Sequence, residues 1–307
     1  MSRALLTGWL AVTLAFVGLR IVPGDAVESQ LRAAGGTAEQ VEAQRKLFGL
    51  DKPLIEQYVE TITGYLQGDF GRSLTSREQV STVIRDRMGP TVALAGSALL
   101  FATLLGWLMG SLAVLDAFSA RTRQCRVPTR RFLTFVAEGF IALSLAVPVY
   151  WSATLVIYLG AHHLELPSGG TRGLSSLWLP SLVLGFAVSG GIARIVAASL
   201  RENATRQFIM TARAKGLHPL RVYDHALRAS LLPILSIIAL QAGFLLSGAV
   251  IIEFMFTRRG LGSLLHQSVL NQDYPVVQAL VLLAALFYAL TRAIAGWLGR
   301  RADPRQL

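Results

Sequence analysis

Apolar and polar positions along this chain segregate into whole segments rather than alternating within helical turns. Six long apolar runs, at residues 4–22, 91–115, 132–159, 177–200, 233–256 and 278–298, are separated by polar stretches. At roughly 20 residues, each is long enough to cross the hydrocarbon core as a helix. Backbone in lipid must satisfy its own hydrogen bonds, so every crossing is expected to be α-helical. The expected fold class is therefore all-α, a polytopic membrane helical bundle of six transmembrane helices. The first run follows Arg3 as a secretory signal would. It ends in Arg-Ile-Val-Pro-Gly-Asp with no small-residue cleavage site, and is read as an uncleaved first span.

The polar stretches differ in kind. Residues 23–90 mix acids and bases and carry amphipathic helical patterns at 37–48 and 54–66, broken by Gly49, Pro53 and Gly68. They predict a folded helical insertion outside the membrane. Residues 116–131 hold Arg121, Arg123, Arg126, Arg130 and Arg131. Residues 206–233 form a second basic island, with Arg206, Arg213, Lys215, Arg221 and Arg228 against the single acid Asp224. Inside it, Thr211-Ala212-Arg213-Ala214-Lys215-Gly216 reads as a short helix ended by glycine. Such a helix suits docking into a groove of another protein. The same charge also suits a loop that only sets topology.

Within the runs, Gly106 and Gly110 form a G-x-x-x-G step, and Gly243 and Ser247 repeat the small-residue spacing. Both fit close helix approach, in a specific seam or in ordinary packing. Gly185, Gly190 and Gly191 mark further close-packing points in the fourth run. Pro148 is expected to kink the third. Glu138, in the same run, is an intramembrane carboxylate, a placement that costs roughly 2.5–3.5 kcal/mol at mid-span and less near an interface. A snorkelling or packing role and a contact with cargo are both open to it.

Composition agrees with a membrane protein. The chain has 307 residues, 53% hydrophobic and only 15% charged, with mean hydropathy +0.51, where soluble domains carry about 25% charge. Its net charge of +11 would suggest nucleic acid in a soluble protein. Here the bases lie in alternate loops, so the positive-inside rule accounts for them, with both termini cytoplasmic and no nucleic-acid partner. Cys125 is the sole cysteine, which rules out an intrachain disulfide. His162, His163 and Glu165 cluster in one short loop, but adjacent histidines point apart on regular elements, and no metal site is assigned. There is no G-x-x-x-x-G-K-[ST], H-E-x-x-H or G-x-S-x-G pattern. Intramembrane ionisable residues are too sparse for a proton relay. An intramembrane enzyme and a proton-driven carrier are therefore disfavoured, and no cofactor is expected in this chain.

Met210-Thr211-Ala212-Arg213-Ala214-Lys215-Gly216-Leu217 resembles the cytoplasmic coupling loop of ABC-importer permeases in its peptide-permease form. Other blocks resemble the same family in the same order. They are Pro23-Gly24-Asp25, Gly49-Leu50-Asp51-Lys52-Pro53-Leu54 with Gln57-Tyr58, and Gly68-Asp69-Phe70-Gly71-Arg72-Ser73. Leu166-Pro167-Ser168-Gly169-Gly170, Glu253 to Gly262, Asn271 to Gln278 and the Asp303-Pro304-Arg305 ending follow. The chain departs from the general pattern at Met210, where glutamate is usual, and at Arg259, where proline is usual. The resemblance implies the type I importer permease fold, with a first helix at 1–22 and an extracytoplasmic helical segment at 23–90. A five-helix core at 91–298, with its coupling loop at 201–232, and a cytoplasmic tail at 299–307 complete it. It implies coupling to an ATPase subunit through Thr211, Ala212, Arg213, Ala214, Lys215 and Gly216. The implied partners are a second homologous permease in a heterodimer, two ATP-binding subunits that hold ATP and Mg, an extracytoplasmic substrate-binding protein, and membrane lipid. The implied place is the bacterial cytoplasmic membrane. Short peptides are the implied cargo, with nickel or other metal chelates, or another small solute, as the alternative.

Overall fold

A computed structural model describes residues 2–21, 37–119, 128–163 and 176–302. Among the sequence features above, Pro23-Gly24-Asp25, Arg121 to Arg126 with Cys125, Glu165 to Gly170 and the 303–305 ending lie outside the described residues, as do the side chains of His162 and His163.

The described residues form twelve helices and no strand. They are α1 (Ser2–Ile21), α2 (Ala38–Leu47), α3 (Leu54–Gln67), α4 (Val80–Leu112), α5 (Leu115–Ser119) and α6 (Pro128–Ala146). These are followed by α7 (Val149–His163), α8 (Trp178–Ala204), α9 (Gln207–Ala214), α10 (Pro219–Met255), α11 (Leu261–Leu270) and α12 (Tyr274–Ala302). Four of them, α4, α8, α10 and α12, are long and apolar enough to cross a membrane. α6 and α7 make a fifth if the pair is one span, and the apolar part of α1, Leu6–Ile21, is shorter. The six expected crossings map onto α1, α4, the α6–α7 pair, α8, α10 and α12.

The elements start and stop where local chemistry dictates. Thr37 caps α2 by accepting the Gln40 N–H at 3.4 Å, while the Gln40 side chain accepts the Thr37 N–H at 3.0 Å. α3 ends on Gly68 at φ +80, a left-handed position that glycine adopts without a Cβ clash.

Three boundaries differ from the sequence expectation. The helix that carries the second run begins at Val80, ahead of the run's start at 91, because helical structure continues outside the apolar run and through Pro90. The third is broken rather than kinked: α6 and α7 meet at 105°. Pro148 has no N–H and disfavours helix at Val147, while its own carbonyl starts α7 by accepting from Trp151 and Ser152. The helix that carries the fifth run begins at Pro219, ahead of the run's start at 233, so the second half of the basic island is helix continuous with the span. Pro233 removes one backbone bond inside it. That cost is offset by burial of Val222, Ala226, Ser230 and Ile234, which follow one another at i+4 along one face.

Cα packing divides the chain into two units: Met1–Thr91 with Arg259–Leu290, and Val92–Arg258 with Thr291–Leu307. In the first, Val80, Leu264, Val276, Ala279 and Leu280 form a core. The Thr91 hydroxyl, almost fully buried, accepts the Leu261 N–H at 2.7 Å and so caps α11.

The second unit is built around α8. Of its most apolar stretch 61% is buried within the chain, against 22% or less for the other long helices. Small residues make this possible. A Cβ built on Gly110 of α4 would lie 2.6 Å from both the Ala193 carbonyl oxygen and Val196 Cβ of α8. One on Gly106 would lie 2.8 Å from Ile192 Cβ, and one on Gly185 of α8 would lie 2.6 Å from the Phe101 ring. The α4–α8 backbones thus touch at the G-x-x-x-G step. On α10, Gly243 is buried and Ser247 is exposed, while a Cβ on Gly248 would meet Leu184 at 2.7 Å. Ser144 of α6 reaches the α8 backbone directly. It accepts the Gly190 N–H at 3.0 Å and donates to the Phe186 carbonyl at 2.6 Å.

Replacing Gly110 with valine forces this seam apart and is expected to cost about 1–3 kcal/mol or more. It will appear as a lower thermal unfolding midpoint of the purified chain in detergent. Gly139→Val, where nothing lies within 4 Å, serves as the control. Equal midpoints for the two variants would remove the seam from the account of the fold.

Candidate functional site

The basic island folds as a short helix set between two long ones. α8 ends at Ala204, Thr205 and Arg206 turn the chain, and α9 runs for 8 residues. Gly216 then stands at φ +73, where an L side chain is strained. The carbonyls that α9 leaves open are taken up locally, by Gly216 N–H on Arg213 at 3.0 Å and Leu217 N–H on Ala212 at 3.3 Å. His218 caps α10 by accepting the Leu220 N–H, and Pro219 occupies the first turn, where its missing N–H costs nothing. Helix, turn and helix together make an elbow.

α9 is two-faced. Ile209 and Ala212 are buried in the second unit's core. Phe208 and Met210 are 43% and 60% exposed, and Thr211, Ala214, Lys215 and Gly216 are exposed with them. Side-chain bonds hold the buried face in place. Arg213 Nη2 donates to the Ala117 carbonyl of α5 at 2.7 Å. Asn203 Nδ2 donates to Ser230 Oγ at 2.8 Å, joining the end of α8 to α10, and Ser230 donates onward to the Ala226 carbonyl. Both residues are buried, and losing Ser230 strands the Asn203 amide, at a cost of roughly 1–3 kcal/mol, whereas Ser230 keeps its bond to Ala226 if Asn203 is lost. The Ser111 and Tyr223 hydroxyls share a bond at 2.7 Å, and the Tyr223 ring stands edge-on to Phe118 at 5.6 Å.

Glu138 also belongs to this support. Its carboxylate accepts from Arg201 Nη2 at 2.6 Å, and the same nitrogen donates to the Ala113 carbonyl at 3.1 Å. Both side chains are about half exposed, 52% and 55%, which limits such a pair to about 0–1 kcal/mol in water. Its role is to fix the end of α8 against α6 and α4.

The six residues proposed from the sequence therefore divide. Thr211, Ala214, Lys215 and Gly216 face outward, whereas Ala212 is buried and Arg213 turns back into the chain. Phe208 and Met210 are the large exposed apolar side chains of the elbow and were passed over. The signal was present: Phe208, Thr211 and Lys215 lie at i, i+3 and i+7, one face of a helix.

Two further clusters lie elsewhere in the chain. In the second unit, Glu253 is fully buried, and the Arg258 guanidinium donates to the Ser176 carbonyl at 2.7 Å. Burial lowers the Arg258 pKa from its ordinary value, and the Glu253 carboxylate acts against that shift. In the first unit, the 68–73 and 271–278 stretches meet. Asp273 accepts from the Ser73 hydroxyl at 2.5 Å and from the Leu74 N–H at 3.0 Å and Thr75 N–H at 3.3 Å. This buried carboxylate fixes the turn that leads into α4. Nothing in the local sequence pairs two blocks almost 200 residues apart.

Residues 117–307 match the family model described as binding-protein-dependent transport system inner membrane component. Over 300 residues the chain is 32% identical to the glutathione transport system permease protein GsiC of Escherichia coli K12, spanning 97% of this chain and 94% of that protein. It is 33% identical over 296 residues to GsiC of Salmonella typhimurium LT2, spanning 96% and 93%. A solved structure titled as inward-facing conformations of the MetNI methionine ABC transporter matches with a TM-score of 0.60 at 16% identity, over 73% of this chain and 97% of that one. The last match concerns the fold alone, that of a type I ABC importer permease. The chain belongs to the family of binding-protein-dependent transport system inner membrane components and is a permease component of an ABC importer of the peptide and nickel group, not an enzyme.

Proposed function

We propose that this permease moves short peptides across the bacterial cytoplasmic membrane, and that the elbow at 207–216 receives the motion that drives it. The observation that carries the reading is α9, with an exposed face of Phe208, Met210, Thr211, Ala214 and Lys215 on a helix braced from behind. A groove in an ATP-binding subunit would take the two apolar side chains, with Lys215 and the neighbouring bases at the rim. ATP and Mg are held by two such subunits and not by this chain. A second homologous permease completes the pathway as a heterodimer, and a substrate-binding protein delivers cargo from outside.

Transport by alternating access needs a rigid lever. Arg213 ties α9 to α5, Ile209 and Ala212 pack it into the shared core, and Asn203 and Tyr223 bond α8 and α4 to α10, so a push on α9 is passed to those helices. The coupling operates only if the exposed face makes different contacts with the two states of the ATPase. The relatives named for glutathione, a tripeptide, favour peptides over metal chelates as cargo.

Replacing Gly216 with valine places a β-branched residue at φ +73. It is expected to reduce ATP-driven uptake in reconstituted vesicles by at least tenfold while membrane insertion and ATPase binding persist. Uptake at the unaltered rate would remove the elbow from the coupling mechanism. Phe208→Ala is expected to weaken association with the ATPase subunit, read by co-purification, without loss of the folded permease. With both termini inside, epitope tags at residue 1 and residue 307 are expected to resist protease added to intact cells and to be cut after lysis. Cleavage from outside would reverse the topology.

A further inference from the structure

A cavity of about 360 Å³ lies within the first unit, walled by the end of α1, by α3, by the 69–74 turn and by the start of α12. Its volume is that of a small-molecule site. Two buried hydrogen-bonding groups, the Tyr65 hydroxyl and the Gln278 side chain, and the half-buried Arg20 line it. The Tyr65 hydroxyl is buried and makes no hydrogen bond among the described residues. Gln278 is 3% exposed, and no hydrogen bond engages its side-chain amide among the described residues. Arg20 donates to the Gln57 side chain at 2.6 Å and the Phe16 carbonyl at 3.2 Å, which uses two of its five N–H groups. No carboxylate among the described residues pairs with it.

The acids in the cavity wall are already engaged. Asp69 accepts the Gly71 N–H at 2.9 Å, and Glu60 is paired with Lys52. Arg72 adds a second guanidinium to the lining. Gln57, which would otherwise compete for a ligand, spends its amide nitrogen on the Leu50 and Lys52 carbonyls. What remains available is a set of donors: a guanidinium, a phenol and an amide. Burial pushes the Tyr65 phenol above its ordinary pKa, so it stays a neutral donor. Buried donors left open in a native fold call for a partner of their own, and a planar oxyanion accepts from a guanidinium and two neutral donors at once.

We propose that this cavity binds a free carboxylate of a short peptide, held by Arg20, Tyr65 and Gln278. The identity of the anion rests on the peptide-permease reading; the donor set itself does not. Arg20 is fixed in place by its contact with the Phe16 ring, 3.4 Å from guanidinium carbon to ring centroid, and by Gln57, so the guanidinium is held at the cavity wall. With the first terminus inside, the cavity lies at the outer end of α1, on the side from which cargo arrives.

The test uses the assembled importer in lipid nanodiscs, titrated calorimetrically with glutathione, with glutathione diethyl ester and with inorganic phosphate. Glutathione is expected to bind saturably, the ester at least tenfold more weakly, and phosphate to compete poorly. Tyr65→Phe and Gln278→Leu are each expected to weaken glutathione binding about tenfold, and Arg20→Gln by more, since each removes a bond to a charged group. The first two replace open polar atoms with apolar ones, so the unliganded protein should unfold at the same or a higher temperature. A merely structural role would lower stability instead. Binding by the Tyr65→Phe, Gln278→Leu double variant at full affinity would overturn the proposal, as would equal affinity for acid and ester, equal displacement by phosphate, or no saturable binding. ATP-driven glutathione uptake by the unaltered importer is measured alongside. Its absence would count against the peptide reading, whereas uptake with unaltered binding in the variants would defeat only the cavity.

Discussion

A helix buried on all sides within a membrane has no water to satisfy its polar groups and little room for side chains. α8, with 61% of its most apolar stretch buried within the chain, comes nearest to this among the long helices, and the second unit follows from how it does so. It is one unbroken helix, and Ser144 of α6 adds bonds to its Phe186 carbonyl and Gly190 N–H. Its neighbours come close because glycines give way: Gly106 and Gly110 on α4, Gly248 on α10, and Gly185, Gly190 and Gly191 on α8 itself. In lipid, association gains little from removing apolar surface, so dispersion across these close contacts and a few polar bonds must hold the helices together. Close packing also makes the unit stiff, since a displaced backbone has no void to move into.

That stiffness gives the elbow a mechanical meaning. α9 is too short to be stable as an isolated helix. It persists because Ile209 and Ala212 are buried in a core shared with α8 and α10, because Arg213 bonds α5, and because Asn203 and Tyr223 fix the flanking helices to one another and to α4. The contributions are unequal. The Arg201–Glu138 ion pair is half exposed and adds little, whereas the Asn203–Ser230 bond is buried and its loss strands a polar atom. Rigidity resides mainly in the neutral contacts, although the island is conspicuous in the sequence for its charge.

The first unit solves a different problem. Its segment between α3 and α4 is short, polar and irregular, and its backbone donors need acceptors. Asp273 supplies them, accepting from Leu74 and Thr75 N–H groups and from the Ser73 hydroxyl. One buried carboxylate thus fixes the entry to α4 by bonds to a turn far along the chain. The same unit leaves Tyr65 and Gln278 open on a cavity, so polar groups there are not buried indiscriminately.

Hydropathy, glycine and proline were enough to foresee an all-helical membrane protein and a short helix stopped by Gly216, because these depend on the solvent and on local backbone preference, though that helix was placed at 211–216 and runs over Gln207–Ala214. They did not show that the helices carrying the second and fifth runs start at Val80 and Pro219, because helix continues past an apolar run wherever one face finds packing. They described Pro148 as a kink, whereas the chain turns through 105° there, an angle set by what α6 and α7 pack against. Arg213 looked like part of a contact face because its charge is visible in the sequence. Its direction is not, and the fold aims it at the Ala117 carbonyl. The partners of Ser73, Asn203 and Glu138 are likewise set by contacts between residues 27 to 200 positions apart, which no local pattern records.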